Sequence, residues 1–513
     1  VNVALACRVL DKLVAFGVSE VCVCAGARNA PLLVALAECR SLRVWNFFEE
    51  RSAAFFAVGR SWSLRRTPVA VMTTSGTAAG ELLPAMMEAH YAGIPLVAIT
   101  ADRPRIFRGS GAPQSAEQAG LFSCYAKGSF DLESIEEADR IDLPNDAPSH
   151  INVCFSEPLL DGPARANFSS PAPHFQDREI SQPDELATAL AKIKRPLLIL
   201  SHQQTHPLIS ELLERANCLV YAEAASQHRV TSRHLLRAGA EKIPQLVTAG
   251  AIDGVIRVGG VPTLRFWRDL EDRFDELPVV SISSPPFSGL ARSSDVFQFT
   301  DRHLEALIDH LEKCDASLLA EILEHDARDF EHLDKLLARH PHSEPAWLRR
   351  LSENIPDRAR IFLGNSLPIR EWDLAATYSD KQFAIHCSRG LNGIDGQLSA
   401  FFGWANSPQP NLGILGDLTT LYDLAAPWIL KQRDDLEIKI VVINNRGGRI
   451  FDRMFGDQRF LNAHDLNFES WARFWSFDYA QNEAMMKSKS RRLVVEITPD
   501  AEATRAFWRE HSE

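Results

Sequence analysis

Glu50 stands where a strand-like run, VWNFF, hands over through Glu49-Glu50-Arg51 to a very apolar helical run, SAAFFAVGRS. A carboxylate at such a junction lies against buried surface. Desolvation raises its pKa toward the range in which it can share a proton with a ligand. The plainer reading is an acid favoured in the first turn of a helix by the macrodipole. Glu49 is expected to face away. A second grouping lies in LGILGDLTTLYDLAAPWILKQRDDLEIKIVVINNRGGRIF, residues 412–451. Two apolar strands, 412–415 and 438–443, bracket a helical segment there, and they run into Gly416-Asp417 and Asn444-Asn445-Arg446-Gly447-Gly448. A carboxylate, an amide oxygen and a carbonyl in a Gly-rich turn are hard oxygen ligands suited to Mg²⁺, which usually shares such a shell with phosphates. The plainer reading is an Asp N-cap and an Asn-Gly loop. A third grouping is Arg28, Arg103, Arg370 and Arg389, each in a loop that follows an apolar strand. In an acidic chain they suggest a pocket for a polyanionic small molecule, since guanidinium forks grip carboxylates bidentately.

These residues need strand ends to hold them, and the chain supplies strands in three series. The first is VCVCAG, VWNFF, PVAVMTT, PLVAIT and HINVCFS; the second RPLLILS, CLVYAEA, GVIRVGG and PVVSIS; the third RIFLGNS, FAIHCS, LGILG, IKIVVIN and RRLVVEI. Strands alternating with helical patterns imply doubly wound parallel sheets. The expected architecture is α/β in three domains, 1–165, 178–338 and 345–513. A Pro/Ser/Ala-rich linker is expected over 161–177, and a charged helical run over 305–339 ends at the boundary HPHSEP. The first and third domains share a strand–loop rhythm without a detectable repeat.

Composition excludes several classes. Net charge is −12 with no basic block, which argues against nucleic acid as a partner. No run approaches the roughly eighteen apolar residues of a membrane span. The stretch VNVALACRVLDKLVAFG reads as an amphipathic helix interrupted by Arg8, Asp11 and Lys12, not as a signal peptide. The nine cysteines form no C-x-x-C pair, and Cys22, Cys24 and Cys154 sit in apolar strands as buried free thiols. These features together suggest a cytoplasmic enzyme. No strand is followed by G-x-G-x-x-G, which weakens a dinucleotide-dependent oxidoreductase reading. His386 and Cys387 read as structural.

The GD…NN pattern resembles the metal–diphosphate motif of thiamine-diphosphate enzymes. The strings AGARNAPL, FFEERSAAFFAVG, TTSGTAAGELLPA, TADRP, GAPQSAEQAGLF, INVCFSEPL, LGNSLPIR, SRGLNGIDG, GDLTTLYDL and NNRGGRIF follow in the order of one family among them. That family is the 2-succinyl-5-enolpyruvyl-6-hydroxy-3-cyclohexene-1-carboxylate synthases of menaquinone biosynthesis. The resemblance spans almost the whole chain and is weakest in the middle. It implies decarboxylation of 2-oxoglutarate and addition of the succinyl unit to isochorismate, with thiamine diphosphate and Mg²⁺ (or Mn²⁺) as cofactors. It implies a homodimer at minimum, often a tetramer, with the cofactor bound between the first domain of one subunit and the third of another.

By this resemblance Glu50 bonds N1′ of the aminopyrimidine, and Thr74, Ser75 and Gly76 line its pocket. Asp417, Asn445 and the Gly447 carbonyl hold the metal, with Gly416 and Leu418 beside the diphosphate. Ile394 props the cofactor's bend, and Phe451 lies near the reacting centre. Arg28, Arg103, Gln114, Ser366, Arg370 and Arg389, with Arg265 more loosely, match positions that hold substrate carboxylates and hydroxyls. The chain departs from the family at Ala25 and Ala27, at Glu49 where Asp is commoner, and at Arg446, which either approaches the diphosphate or points outwards. Two other readings remain: a thiamine-diphosphate carboligase or decarboxylase acting on another 2-oxo acid such as pyruvate, and a catalytically silent binding protein of the same fold.

Overall fold

Uninterrupted apolar runs suit strands buried on both faces of a parallel sheet, and the computed structural model contains three such sheets. It describes residues 1–164, 183–203, 206–229, 232–379, 381–482 and 488–512. The first sheet comprises β1 (Glu20–Cys24), β2 (Arg43–Phe47), β3 (Val69–Thr73), β4 (Leu96–Asp102), β5 (Gly128–Leu132) and β6 (Ser149–Cys154). The second has β7 (Pro196–Leu200), β8 (Leu219–Ala222), β9 (Gly254–Val258), β10 (Val279–Ser283) and β11 (Asp295–Gln298). The third has β12 (Arg360–Leu363), β13 (Ala384–His386), β14 (Asn411–Gly416), β15 (Ile438–Ile443), β16 (Asp478–Gln481) and β17 (Arg492–Ile497).

The orders are β2-β1-β3-β4-β6-β5, β11-β10-β9-β7-β8 and β13-β12-β14-β15-β17-β16. The first and third sheets are therefore wound identically, although their sequences show no repeat. The second follows the same winding with one strand fewer. In each, the chain reverses direction beside the first strand, which puts topological switch points between β1 and β3 and between β12 and β14. Ligands of open α/β sheets bind beyond the carboxyl ends of strands at such points.

The chain divides into two compact units, Val1–Asp177 with Gly390–Pro408 and Thr419–Leu436, and Arg178–Arg389 with Gln409–Leu418 and Glu437–Glu513. The second and third sheets both belong to the latter unit. The sequence reading misses β5, β11 and β16, and each is the outermost strand of its sheet. The 305–339 run is also not one helix, since Asp301–Leu311 and Leu319–Arg339 are separate. The helical segment after β14 is likewise divided, into Asp417–Tyr422 and a tight 3₁₀ stretch, Ala426–Gln432. The amphipathic start forms the helix Asn2–Phe16, and the proposed linker lies from 165 onward outside the described residues. Cys22, Cys24 and Cys154 are buried free thiols, as expected. No helix among the described residues is long and apolar enough to cross a membrane.

The helix Glu50–Ser63 fixes where Glu50 stands, and close backbone packing holds that helix. A Cβ on Gly59 would lie 2.0 Å from the carbonyl oxygen of Ala400, and one on Gly403 would lie 2.2 Å from that of Phe56. Only glycines let this helix and Gln397–Trp404 approach so closely. At its far end Arg60 donates from Nε to the Glu20 carboxylate at 2.8 Å, and Trp45 Nε1 donates to the same group at 2.6 Å. Burial disfavours the Glu20 charge, but the Arg60 guanidinium and Trp45 N–H outweigh it and hold the carboxyl below its ordinary value. A paired buried charge costs stability sharply only when one partner is removed, so this group locks the helix against β1.

Candidate active site

In the first unit Glu50, Thr74, Ser75 and Gln114 line one cavity of about 720 Å³, together with Glu49, Arg51, Glu81 and the wall Leu421, Tyr422, Leu424 and Ala425. β2 delivers Glu50, β3 delivers Thr74 and Ser75, and the loop after β4 delivers Gln114. Glu49 does not face away. Its carboxylate caps the helix by accepting from the N–H groups of Arg51 (3.1 Å) and Ser52 (2.9 Å), and it lines the cavity beside Glu50. A free N-terminal N–H attracts the nearest carboxylate, and the nearest one is Glu49. Glu50 is therefore left to the cavity. Burial pushes the Glu50 carboxyl above its ordinary value, and the charges of Glu49 and Glu81 push it further. Arg51 donates to the carbonyl of Tyr422 at 2.8 Å, tying the apolar wall to the helix.

Gly76 does not itself line this cavity. Its N–H donates to Gln118 Oε1 at 2.7 Å, and that buried amide fixes the turn carrying Ser75. Arg28 lies at the β1/β3 switch point. Its backbone N–H donates to Thr74 Oγ1 at 3.3 Å, and its guanidinium donates to the Phe155 carbonyl at 3.0 Å and lies 3.2 Å from Glu157. Arg103 donates to the Pro113 carbonyl at 3.0 Å, at the base of the Gln114 loop. Gln114 itself is held at φ 55°, an uncommon conformation outside glycine that tends to mark functional loops. Ile394 is half-buried in the turn before the helix Gln397–Trp404.

In the second unit β14 and β15 bring Asp417 and the 444–448 loop together, as their spacing suggested. Oδ2 of Asp417 accepts the Gly447 N–H at 2.9 Å and stands 3.2 Å from Nε2 of His464, while Oδ1 accepts the Leu418 N–H at 2.6 Å. Burial pushes the Asp417 carboxyl up, against the pull of these N–H groups and His464. Gly447 has φ 132°, and a Cβ there would lie 2.4 Å from the Leu461 carbonyl oxygen. Only glycine fits that turn.

The two asparagines divide their work. Asn444 donates to Glu496 at 2.6 Å and to the Leu466 carbonyl at 2.9 Å, and is buried structure. Asn445 donates from Nδ2 to both oxygens of buried Glu344, at 3.1 and 2.9 Å. Its Oδ1 is buried without a hydrogen-bond partner among the described residues. An orphaned buried acceptor costs about 1–3 kcal/mol, so this oxygen fits a hard cation. Among the described residues no three or more of His, Cys, Asp and Glu cluster as metal ligands. Arg446, at φ 65°, is exposed and points outwards. Phe451 packs in an aromatic group with Phe455 and Phe460, ring centroids 6.0 and 6.4 Å away.

At the β12/β14 switch point Ser366 has φ 73° and starts the helix Leu367–Ala375. Its carbonyl accepts from Arg370 at 2.6 Å, and Arg389 donates to Asn365 Oδ1 at 2.8 Å. Burial and then the neighbouring Arg389 push the Arg370 guanidinium below its ordinary value. A like-charged pair held in this way favours an incoming dianion. The Arg265 side chain is 83% exposed and lies 3.4 Å from Asp269.

Sequence reasoning missed the cavity wall 421–425, His464 and Glu344. The wall falls within and just after GDLTTLYDL, beyond the residues that the diphosphate motif singles out. Glu344 was hidden in HPHSEP, which reads as a boundary, and His464 carries no local signal.

A family model for the N-terminal TPP binding domain of thiamine pyrophosphate enzymes matches residues 4–121. The 2-succinyl-5-enolpyruvyl-6-hydroxy-3-cyclohexene-1-carboxylate synthase of Bdellovibrio bacteriovorus is 38% identical over 99% of this chain and 98% of its own. The synthase of the same name from Akkermansia muciniphila is 36% identical over 95% and 94%, and that from Geobacillus thermodenitrificans is 31% identical over 86% and 81%. This chain belongs to the 2-succinyl-5-enolpyruvyl-6-hydroxy-3-cyclohexene-1-carboxylate synthase family of thiamine-diphosphate enzymes.

Proposed function

We propose that this protein decarboxylates 2-oxoglutarate and joins the succinyl unit to isochorismate, releasing CO₂ and 2-succinyl-5-enolpyruvyl-6-hydroxy-3-cyclohexene-1-carboxylate in menaquinone biosynthesis. The observation that carries this reading is the raised Glu50 carboxyl in a cavity with Thr74, Ser75 and Gln114, in a chain of this family. Thiamine diphosphate, when bound, supplies the nucleophilic carbon and electron sink that let a 2-oxo acid lose CO₂ and pass on its acyl unit. Glu50 holds a proton at N1′ of the aminopyrimidine, and the charges of Glu49 and Glu81 keep its carboxyl ready to do so. Thr74, Ser75 and the Gly76 turn flank that ring, and Ile394 supports the cofactor's bend.

Asp417, Asn445 and the Gly447 carbonyl hold Mg²⁺ or Mn²⁺, with the diphosphate anchored beside Gly416 and Leu418. Phe451 supplies apolar surface near the reacting centre. Arg28, Arg103, Gln114, Ser366, Arg370 and Arg389 bind substrate carboxylates and hydroxyls, and orienting them this way lowers the barrier by several kcal/mol. Arg265 is the weakest member, given its exposure. Leu421, Leu424 and Ala425 present an apolar wall that disfavours charge on a carboxylate leaving as CO₂. The working form is a homodimer at minimum, with domains 1–165, 178–338 and 345–513. The buried free thiols of Cys22, Cys24, Cys154 and Cys218 support a cytoplasmic setting.

The arginines make the substrate test. With thiamine diphosphate, Mg²⁺ and isochorismate, CO₂ release from 2-oxoglutarate is expected to exceed that from pyruvate by more than about 100-fold in kcat/KM, because pyruvate lacks the second carboxylate that the arginines would grip. Equal release from the two acids would point to a different 2-oxo acid.

A further inference from the structure

Asn445 serves as a metal ligand only if its amide oxygen, not its nitrogen, faces Asp417. An amide is nearly symmetric in shape, so hydrogen bonding must choose its orientation. The choice is made behind it. Both carboxylate oxygens of Glu344 bracket Nδ2 of Asn445, at 3.1 and 2.9 Å. A carboxylate is an acceptor only, so the opposite flip would set three oxygens against one another in a buried place. Glu344 cannot turn aside. It opens the helix Glu344–Asn354, its backbone N–H donates to Thr504 Oγ1 at 3.0 Å, and it is 2% exposed. Behind it lies Glu371, also buried. The unpartnered atom is Asn445 Oδ1, on the side away from Glu344.

We propose that Glu344 is a positioning residue for the metal site: by accepting both bonds from the Asn445 amide it fixes Oδ1 toward the divalent cation. This rests on the reading of Asp417 and Asn445 as metal ligands given above. Glu344 is not one of the proposed ligands, and its hydrogen bonds reach the site through the Asn445 amide. Partners of this kind orient ligands, and their loss typically weakens metal affinity by about 10–100-fold.

The test is Mn²⁺ binding to the full chain with saturating thiamine diphosphate, read from the electron paramagnetic resonance signal of free Mn²⁺, with thermal melting to check each variant's fold. Glu344→Gln is expected to raise the Mn²⁺ Kd about 10–100-fold, because its amide can pair with either orientation of Asn445. In an Asn445→Ala background the same change is expected to cost less than about twofold, since residues acting through one group are not additive. The polarity-swapped pair E344Q/N445D is expected to recover at least about tenfold of the lost affinity. In that pair the new amide at position 344 donates to one oxygen of the new carboxylate at position 445 and leaves the other for the cation. Should Glu344→Gln not fold, Glu344→Asp carries the test, its shorter arm costing about 3–10-fold. Parent-like binding by the folded variant, or a full loss that persists without Asn445, overturns the positioning role while leaving the metal site intact. A parent chain that takes up no Mn²⁺ with thiamine diphosphate present overturns the metal-site reading itself, and this role with it.

Discussion

Replacing Glu50 with Gln is expected to leave thiamine diphosphate bound while turnover falls by about 10²–10⁴-fold, the usual share of a positioned proton-sharing group. Gln keeps the volume of Glu and can still hydrogen-bond a ring nitrogen, so affinity has little reason to change. What it cannot do is hold a proton that moves. The setting of Glu50 fits that demand: burial first, then the charges of Glu49 and Glu81, push its carboxyl above the ordinary carboxylate range. Tryptophan fluorescence quenching gives cofactor affinity, and steady-state assay gives kcat and KM separately. The expected signature is a fall in kcat with KM nearly constant, which marks an interaction made in the transition state. The same substitution at Glu49 acts on the helix cap instead, where Arg51 and Ser52 donate. It is expected to cost about 0.5–2 kcal/mol of stability and far less in kcat. Near-parent turnover in Glu50→Gln would remove Glu50 from the proposed role.

The second large effect is expected at Asp417, the only carboxylate among the three proposed metal ligands. Asp417→Asn keeps an oxygen for the Gly447 N–H, now received at 2.9 Å by Oδ2, so the turn retains its bond. The variant loses the charge. Its Mg²⁺ affinity is expected to fall by more than the roughly 100-fold that loss of an orienting partner costs. Thiamine diphosphate should then no longer survive gel filtration at Mg²⁺ concentrations that hold it on the parent. Calorimetric titration of the cofactor at fixed Mg²⁺ checks this, and unchanged affinity would show that the metal is held elsewhere. The two variants separate the two halves of the cofactor's work. One retains binding without turnover, and the other loses binding.

How much of this was legible in the sequence depends on what each feature's physics leaves in the chain. Central strands such as VAVMT in β3 and IKIVVI in β15 are packed on both faces, so burial forces apolar runs that anyone can read. The missed strands Gly128–Leu132, Asp295–Gln298 and Asp478–Gln481 pair on one side only. Polar residues are tolerated there, and Ser129, Asp295 and Asp478 are exposed. The 305–339 run failed differently. Its charge pattern is helical throughout, but the backbone N–H of Asp315 donates to the Lys194 carbonyl and its carboxylate accepts from Ser317. A tertiary contact ends the helix where local propensity would continue it.

The site divides along the same line. Glu50, Asp417 and Asn445 stand at strand ends, and their types announce their chemistry. Glu49 was expected to face away, but the helix start claims that carboxylate as a cap. Glu344 reaches Asn445 only through folding, from 101 residues away in sequence, and His464 reaches Asp417 in the same way. No spacing rule reveals such a pair. The identical winding of the first and third sheets was equally hidden, because strand order is a property of three-dimensional pairing.

The central claim is that one reaction consumes both proposed substrates, and a single assay tests it most directly. The protein is incubated with thiamine diphosphate, Mg²⁺, 2-oxoglutarate and isochorismate, isochorismate loss is followed by absorbance, and the product is identified by mass. The account predicts 2-succinyl-5-enolpyruvyl-6-hydroxy-3-cyclohexene-1-carboxylate, formed only when all four components are present. CO₂ release without a joined product, or no cofactor-dependent reaction with any 2-oxo acid, would contradict it.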